Sequence, residues 1–282
     1  MQKTLIIACE EGEVEYDIPA LEKENASVEF IENEEDLNYE TLLHLHQKYQ
    51  PTQVMIEYNG MWDNTKFVDE ICIDQWQVVQ ILTTISAETF DLYYNNMRGQ
   101  FVYHITGSDL VIVNRCDENT KKYPIRGSIK SLNPMCQIVY ENKNRQIEDL
   151  TVNDLPYNLN DDYIEVNDMD YGIFCMHIME NPQIYENKTI KIKGKVIGRD
   201  KLIENGFVLG RQAMVCCSDD MQLLGLVCIS KYAKDLIKDE WLVVDGTISL
   251  EYDESIQSNI PILHVDHLEG AKPLENEYVT FD

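Results

Sequence analysis

Three stretches of this sequence gather residue types that do chemistry. The strongest is Asn114-Arg115-Cys116-Asp117, which follows the apolar run Leu110–Val113. An ionised Asp carboxylate only accepts hydrogen bonds, so it matches the paired N–H donors of guanine, a pair that adenine does not present on that edge. Asn114 is suited to hold neighbouring loops, and Arg115 to lay its long stem along the face of a base. The second stretch is Val54-Met55-Ile56-Glu57 running into Tyr58-Asn59-Gly60. A carboxylate at a strand's carboxyl end with a Gly just beyond lies where α/β sheets bind ligands. Glu57 can hold Mg²⁺ directly or through water, and the Gly60 amide, with no Cβ in the way, can approach a terminal phosphate. The third stretch, Glu10-Glu11-Gly12-Glu13-Val14-Glu15-Tyr16-Asp17, offers Glu10, Glu13 and Asp17 as candidate Mg²⁺ ligands. Taken alone, each acidic stretch also reads as a turn or a solvated charge run.

The elements that must position these groups fall into two rhythms. Thr4–Ala8, Val28–Ile31, Gln53–Ile56, Val78–Thr83, Leu110–Val113 and Gln137–Tyr140 are short and mostly apolar, with helices expected at Tyr39–Tyr49 and Lys121–Leu132. Strands without polar alternation are buried on both faces, which predicts a mostly parallel α/β sheet. Glu148–Asp170 holds eight acidic residues and no Lys or Arg, and reads as an acidic linker. A helix is expected at Gly172–Met179, ended by Pro182. Strands follow at Thr189–Ile197, Phe207–Cys216, Leu223–Ile229, Trp241–Leu250 and Ile262–Val265, with a helix at Lys231–Ile237. Three strands, a helix and two strands is the order of an OB-type β-barrel. The predicted division is residues 1–147, the linker 148–170, and the barrel domain 171–282.

Bulk properties set limits. At 282 residues, with 44% hydrophobic residues, the chain is long enough for two cores. No apolar run is long enough to span a bilayer, and Met1 onward lacks the basic flank and cleavage pattern of a secretion signal, so neither a span nor a signal is expected. Eight cysteines without a disulfide-like framework fit a reducing compartment, so a cytoplasmic location is expected. A net charge of −27 opposes nucleic-acid backbones and anionic lipid, so neither nucleic acid nor membrane is an expected partner. The cluster Lys188, Lys191, Lys193 and Lys195 reads as the wet face of a strand. Adjacent Cys216 and Cys217 point opposite ways on a strand, so core cysteines are the first reading and a zinc pair the second. With a turn at Ser218–Met221, Cys228 is expected opposite Arg211.

In this order the three stretches resemble the CobW/HypB/UreG group of P-loop GTPases, and the CobW branch most. That branch carries an E-F-G-E-V-x-x-D-like segment, here Glu10–Asp17; an E-x-x-G turn, here Glu57 and Gly60; and N-K-x-D, here Asn114, Arg115 and Asp117, with Arg in the Lys place. Leu132-Asn133-Pro134 through Ile138-Val139-Tyr140 also fits an L-N-P-x-x-x-I segment. The resemblance covers about residues 4–145. It implies GTP or GDP as ligand, Mg²⁺ beside the phosphates, Glu57 as the catalytic, water-positioning group, and a link to metal homeostasis. The family's G-x-x-x-x-G-K-S/T loop and first strand are not among these 282 residues, so hydrolysis is expected to be impaired, strand edges to be open, and the chain to be incomplete. The metal-carrying branch has C-x-C-C between its second and third strands, whereas residues 18–53 here hold no cysteine. From about residue 171 to 270 the chain is similar to YcgQ-like proteins, through Gly210-Arg211-Gln212-Ala213-Met214-Val215-Cys216-Cys217, Gly225-Leu226-Val227-Cys228 and Trp241–Gly246. The expected function is GTP binding of the CobW-like type, with a protein partner or a homo-oligomer. The other readings are a non-catalytic scaffold on a degenerate nucleotide fold and a cysteine-based metal binder.

Overall fold

The computed structural model describes residues 3–12, 14–200, 203–214, 221–254 and 256–279. The chain divides into two compact units, one of residues 1–84 with 92–111 and one of residues 85–91 with 112–282, each described by itself.

In the first unit, β1 (Thr4–Ala8) is the centre of a three-stranded parallel sheet, between β2 (Ala26–Phe30) and β3 (Gln53–Glu57). Helix α1 (Ile18–Lys23) follows β1, and α2 (Tyr39–Tyr49) joins β2 to β3. Asn38 caps α2, its Oδ1 accepting from Thr41 N at 3.0 Å. Gln50 ends it at φ 46°, and Pro51 blocks its continuation. Leu5 and Ile7 on β1 pack with Leu42 and Leu45 of α2 and with Ile31, Leu37 and Ile73. The opposite face of the sheet is open. Met55, paired with Ile6, is 53% exposed, and Phe30 is 60% exposed. A parallel sheet ordinarily buries both faces. The expectation of a single sheet through all six strands is therefore corrected: among the described residues, β2 and β3 each pair on one side only.

The remaining strands of the α/β region form another sheet, in the order β4 (Leu82–Ser86), β5 (Leu110–Cys116), β6 (Gln137–Asn142) and β7 (Ile147–Glu148). Helices α3 (Phe90–Asn96) and α4 (Arg98–Thr106) lie between β4 and β5, and α5 (Lys122–Leu132) between β5 and β6. β4 starts four residues later than Val78, because Val78 and Val79 face solvent and the β-branched Thr83, Thr84 and Ile85 carry the strand instead.

The stretch expected to be a linker is folded. It holds β7, a 3₁₀ turn at Val152–Asp154, and β8 (Tyr163–Glu165), with Leu155, Ile164 and Val166 buried in the barrel core. Between its carboxylates those three apolar side chains sit where they reach the core, which composition alone hides. After α6 (Tyr171–Glu180), strands β9 (Thr189–Arg199), β10 (Gly206–Met214), β11 (Met221–Ile229), β12 (Trp241–Asp253) and β13 (Ser258–Gly270) close on themselves. β9 pairs with β10, β10 with β11, β11 with β13, β13 with β12, and β12 again with β9. With β9 as strand 1 this is 1-2-3-5-4-1, and the β11–β13 pair is the parallel one, as in an OB barrel. The helix expected at Lys231–Ile237 is instead a run of i to i+3 turns, Ala233 N to Ser230 O and Asp235 N to Tyr232 O. Helix α6, ahead of the barrel, packs against β11 and β13.

The lysine face of β9 is confirmed. Ile190, Ile192 and Val196 are buried, Lys191 pairs with Glu165 at 2.9 Å, and Lys195 pairs with Glu277 at 2.6 Å. Arg211 is buried: it donates to Lys193 O at 2.9 Å, pairs with Asp168 at 2.5 Å, and stacks 4.2 Å from the Tyr171 ring. Cys228 pairs across the ladder with Phe207, not Arg211, since the register of β10 and β11 sets Met214 opposite Met221. A line of phenols ends at a histidine, with Tyr157 Oη 2.7 Å from Tyr185 Oη and Tyr185 Oη 2.7 Å from His177 Nδ1.

Two outcomes follow from this core. A Cβ on Gly225 would stand 2.3 Å from Leu209 O and 2.7 Å from the Gly210 Cα, both backbone atoms. Gly225→Ala is expected to lower urea-unfolding stability by about 2–3 kcal/mol, and Gly198→Ala, where nothing lies within 4 Å, by less than about 0.5 kcal/mol. Burial holds the His177 imidazole below its ordinary value, with Glu180 opposing and Arg126 reinforcing. A depressed folded value means the unfolded chain takes up the proton first. The stability is full above about pH 6.5 and falls as pH drops through that value towards the depressed one. His177→Phe is expected to flatten the unfolding midpoint between pH 7 and 5.5; an unchanged slope would count against this assignment.

Candidate functional site

In the first unit, the parallel pairing of β1 with β3 brings their carboxyl ends side by side. Cys9 N donates to Glu57 O at 2.9 Å, and Asn59 Nδ2 to Cys9 O at 3.2 Å, locking the two loops together. Two of the expected groups meet here: Gly60 N donates to Glu10 Oε2 at 3.4 Å. His104 on α4 fixes the same turn, donating from Nε2 to Gly60 O at 2.9 Å while its Nδ1 lies 3.1 Å from Asn64 Nδ2. Glu57 is exposed and accepts from Tyr16 Oη at 2.6 Å. Burial first, then the Glu57 hydrogen bond and charge, push the Tyr16 phenol up to about 12. Burial, with the Glu57 charge adding, raises the Cys9 thiol to about 11, so Cys9 is no nucleophile near neutral pH.

The expected Mg²⁺ ligands do not gather. Asp17 is spent as the N-cap of α1, its Oδ1 accepting from Ala20 N at 3.1 Å. Glu13, Cys216 and Cys217 lie outside the described residues. Among the described residues no three His, Cys, Asp or Glu side chains cluster closely enough to hold a metal ion, so no chemical step is assigned to one. Nor is any described helix long and apolar enough to cross a membrane.

The second unit holds the other half of the expected set. Val113 is buried on β5 and places Asn114 two residues before the strand's last residue, Cys116. Arg115 takes φ 56°, a left-handed conformation that costs a non-Gly residue about 1–2 kcal/mol. The kink turns the chain into a loop that Asp117 organises, with Oδ1 accepting from Asn119 N at 3.0 Å and from Thr120 Oγ1 at 3.3 Å. Asp117 Oδ2 accepts from Lys143 Nζ at 3.0 Å, and the same ammonium lies 2.9 Å from Glu88 Oε1. Lys143 first, then the Asn119 amide, hold the Asp117 carboxyl below its usual range, so it stays ionised and acceptor-only.

Beside this loop are two unpaired polar atoms. Ala87 N donates to Asn114 O at 2.9 Å, so the end of β4 lies against Asn114. Ser86 Oγ and Asn114 Oδ1 are both buried without a hydrogen-bond partner. Such atoms are rare in native structures, because an unpaired buried group costs about 1–3 kcal/mol. Ser86, Glu88, Lys143, Tyr16 and His104 escaped the sequence reading. Tyr16 lay inside the acidic segment, but nothing in the spacing singled out the others.

Residues 141–280 match the family described as the DUF1980 C-terminal domain. The UPF0703 protein YcgQ of Bacillus subtilis is 23% identical over 116 residues, 41% of this chain and 41% of that protein's length. The chain thus aligns with about two-fifths of the curated relative it matches. Among solved structures, the small single-stranded DNA-binding protein of Streptomyces coelicolor is 13% identical, covering 29% of this chain and 93% of its own, at a TM-score of 0.21. The mitochondrial single-stranded DNA binding protein Rim1 of S. cerevisiae is 11% identical, covering 30% and 94%, at 0.22. The barrel's assignment rests on its strand order rather than on these likenesses.

The Tyr16–Glu57 bond gives a direct check. Glu57→Gln removes the charge and weakens the acceptor, so the Tyr16 phenol is expected to fall from about 12 towards, but not reach, its ordinary 10. The ¹³Cζ shift of labelled tyrosines, assigned with Tyr16→Phe, reads this out, and an unmoved titration would contradict it.

Proposed function

We propose that the chain binds a guanine nucleotide, with Asp117 as the acceptor for the base's paired N–H donors, in the manner its resemblance to CobW-type proteins implies. The observation that carries the reading is the orphaned pair Ser86 Oγ and Asn114 Oδ1, buried without partners beside an Asp held ionised. These residues fit a base: one carboxylate that only accepts, one amide oxygen lacking a donor, and one hydroxyl free to donate or accept. The left-handed turn at Arg115 supports the same reading, since strain of this kind persists where surrounding structure over-determines a functional geometry.

For the first unit taken by itself, the resemblance implies Glu57, which accepts from Tyr16, as a water-positioning group and Gly60 N, which donates to Glu10, as a phosphate donor. A link to metal homeostasis, which the resemblance implies, and a protein partner or a homo-oligomer are further parts of the proposal.

Isothermal titration of the chain with GDP, ADP and XDP tests the base assignment. GDP is expected to bind at least about tenfold more tightly than ADP, a difference of about 1.4 kcal/mol. Asp117→Ala is expected to weaken GDP at least about tenfold, and Asp117→Asn to shift the preference to XDP, whose 2-oxo group needs a donor where guanine has an amino group. No GDP binding at millimolar concentration by a folded chain would sink the reading in favour of a scaffold.

A further inference from the structure

We infer that Lys143 is a displaceable counter-ion that sets the affinity of the Asp117 site, its ammonium standing where the donors of a base would stand; this rests on the reading of Asp117 as the base acceptor. The geometry carries it in three steps. Asp117 Oδ1 is committed to its own loop, through Asn119 N and Thr120 Oγ1. A base must therefore recruit Oδ2, which accepts from Lys143 Nζ at 3.0 Å. A base N–H that reaches Oδ2 must share its electron density with the ammonium, and each bond weakens the other, so base binding and the Lys143–Asp117 bond compete.

Displacement is open to Lys143 because it has somewhere to go. Glu88 Oε1 lies 2.9 Å from the same ammonium, so a lysine released by Asp117 keeps a carboxylate. Glu88 first and Asp117 second raise the lysine's proton affinity, which keeps it charged in either position. The side chain is half exposed, free to swing on a long stem, while the turn that bears it is fixed. Asn142 Oδ1 accepts from Asn144 N at 2.9 Å and from Gln146 N at 3.1 Å, and Arg145 holds φ 61°.

The lysine's place in the chain gives the competition a direction. Lys143 lies within residues 141–280, the stretch matching the DUF1980 C-terminal domain, whereas Asp117 and Glu88 lie outside it. Two residues into the hairpin's return strand, Glu148 pairs at 3.0 Å with the largely buried Lys122, and Lys122 is 3.8 Å from Asp154. The next residue, Tyr123, is part of the barrel core. Occupancy at Asp117 is thus sensed by a residue of the C-terminal part.

Binding of mant-GDP to the full chain and to Lys143→Met, Glu88→Gln, the double variant and Asp117→Ala tests this. Lys143→Met is expected to tighten binding roughly three- to tenfold. Glu88→Gln, leaving the lysine to Asp117 alone, is expected to weaken it roughly two- to fivefold, and to have no effect in the Lys143→Met background. Weaker binding by Lys143→Met would make the lysine an orienting group and overturn the inference. Unchanged binding by Lys143→Met, with loss in Asp117→Ala, would overturn it while leaving the base assignment standing. No binding by any folded variant would overturn both.

Discussion

The chain has 50 acidic side chains and 23 Lys and Arg, and this shortage of cations governs how its loops are held. A carboxylate that must keep one geometry needs a fixed donor, and most here cannot have a cation of their own. The scarce cations are shared: Lys143 bridges Glu88 and Asp117, and Lys122 serves Glu148 and Asp154. Elsewhere neutral donors take over. Tyr16 Oη serves Glu57, Gly60 N serves Glu10, and Ala20 N serves Asp17. A donor that is shared or neutral is also one that another group can replace.

The barrel meets a different constraint, that of closing five long strands with little room at the crossings. Gly210 and Gly225 face each other on β10 and β11, and Gly246 sits where β12 shifts register against β13. At Gly225 and Gly246 an added Cβ would meet a carbonyl oxygen at 2.3 Å. Inside, Tyr171, Phe174 and Tyr185 fill the volume, and the phenol hydroxyls find partners in Leu224 O, Tyr157 and His177. The one buried guanidinium, among the described residues, is satisfied by a backbone carbonyl and Asp168 and is flanked by rings, so a buried cation is compatible with the core.

How much of this was legible depended on whether the signal was local. Helix α2 reads directly from Asn38, the periodic leucines and Pro51, and its observed bounds coincide with the expected ones. The barrel strands read from alternation, as in Ile190-Lys191-Ile192-Lys193, because one face is wet. Where tertiary contacts decided, the sequence misled. Leu155, Ile164 and Val166 are diluted among acids, yet each reaches the core and turns an apparent linker into part of the barrel unit. Lys231–Ile237 has helical composition, but short turns tie it to the barrel, with Ser230 N bonded to Asn205 O. The candidate groups were half legible: Glu10 and Gly60 in the first unit, and Asn114 and Asp117 in the second, were visible as motifs. Lys143 and Glu88 were not, since ion pairing 26 and 55 residues apart leaves no spacing to read.

The end of β5 is where local preference and global fold disagree most. Arg115 carries a positive φ inside a strand whose neighbours Val113 and Cys116 are buried, and Asn114 Oδ1 and Ser86 Oγ lack partners. Strain of about 1–2 kcal/mol at Arg115 and roughly 1–3 kcal/mol for each orphaned atom is a large fraction of an ordinary stability margin of about 5–15 kcal/mol. A glycine at 115 would remove the first cost, and an apolar side chain at 86 or 114 would remove the others, so nothing in the packing demands these residue types. What Asn114 Oδ1 and Ser86 Oγ share is that their desolvation is already complete; in the proposed site, a base that supplied the missing partners would recover free energy the fold has left unrealised. That surplus is what would let a neutral base compete with an ammonium ion for Asp117.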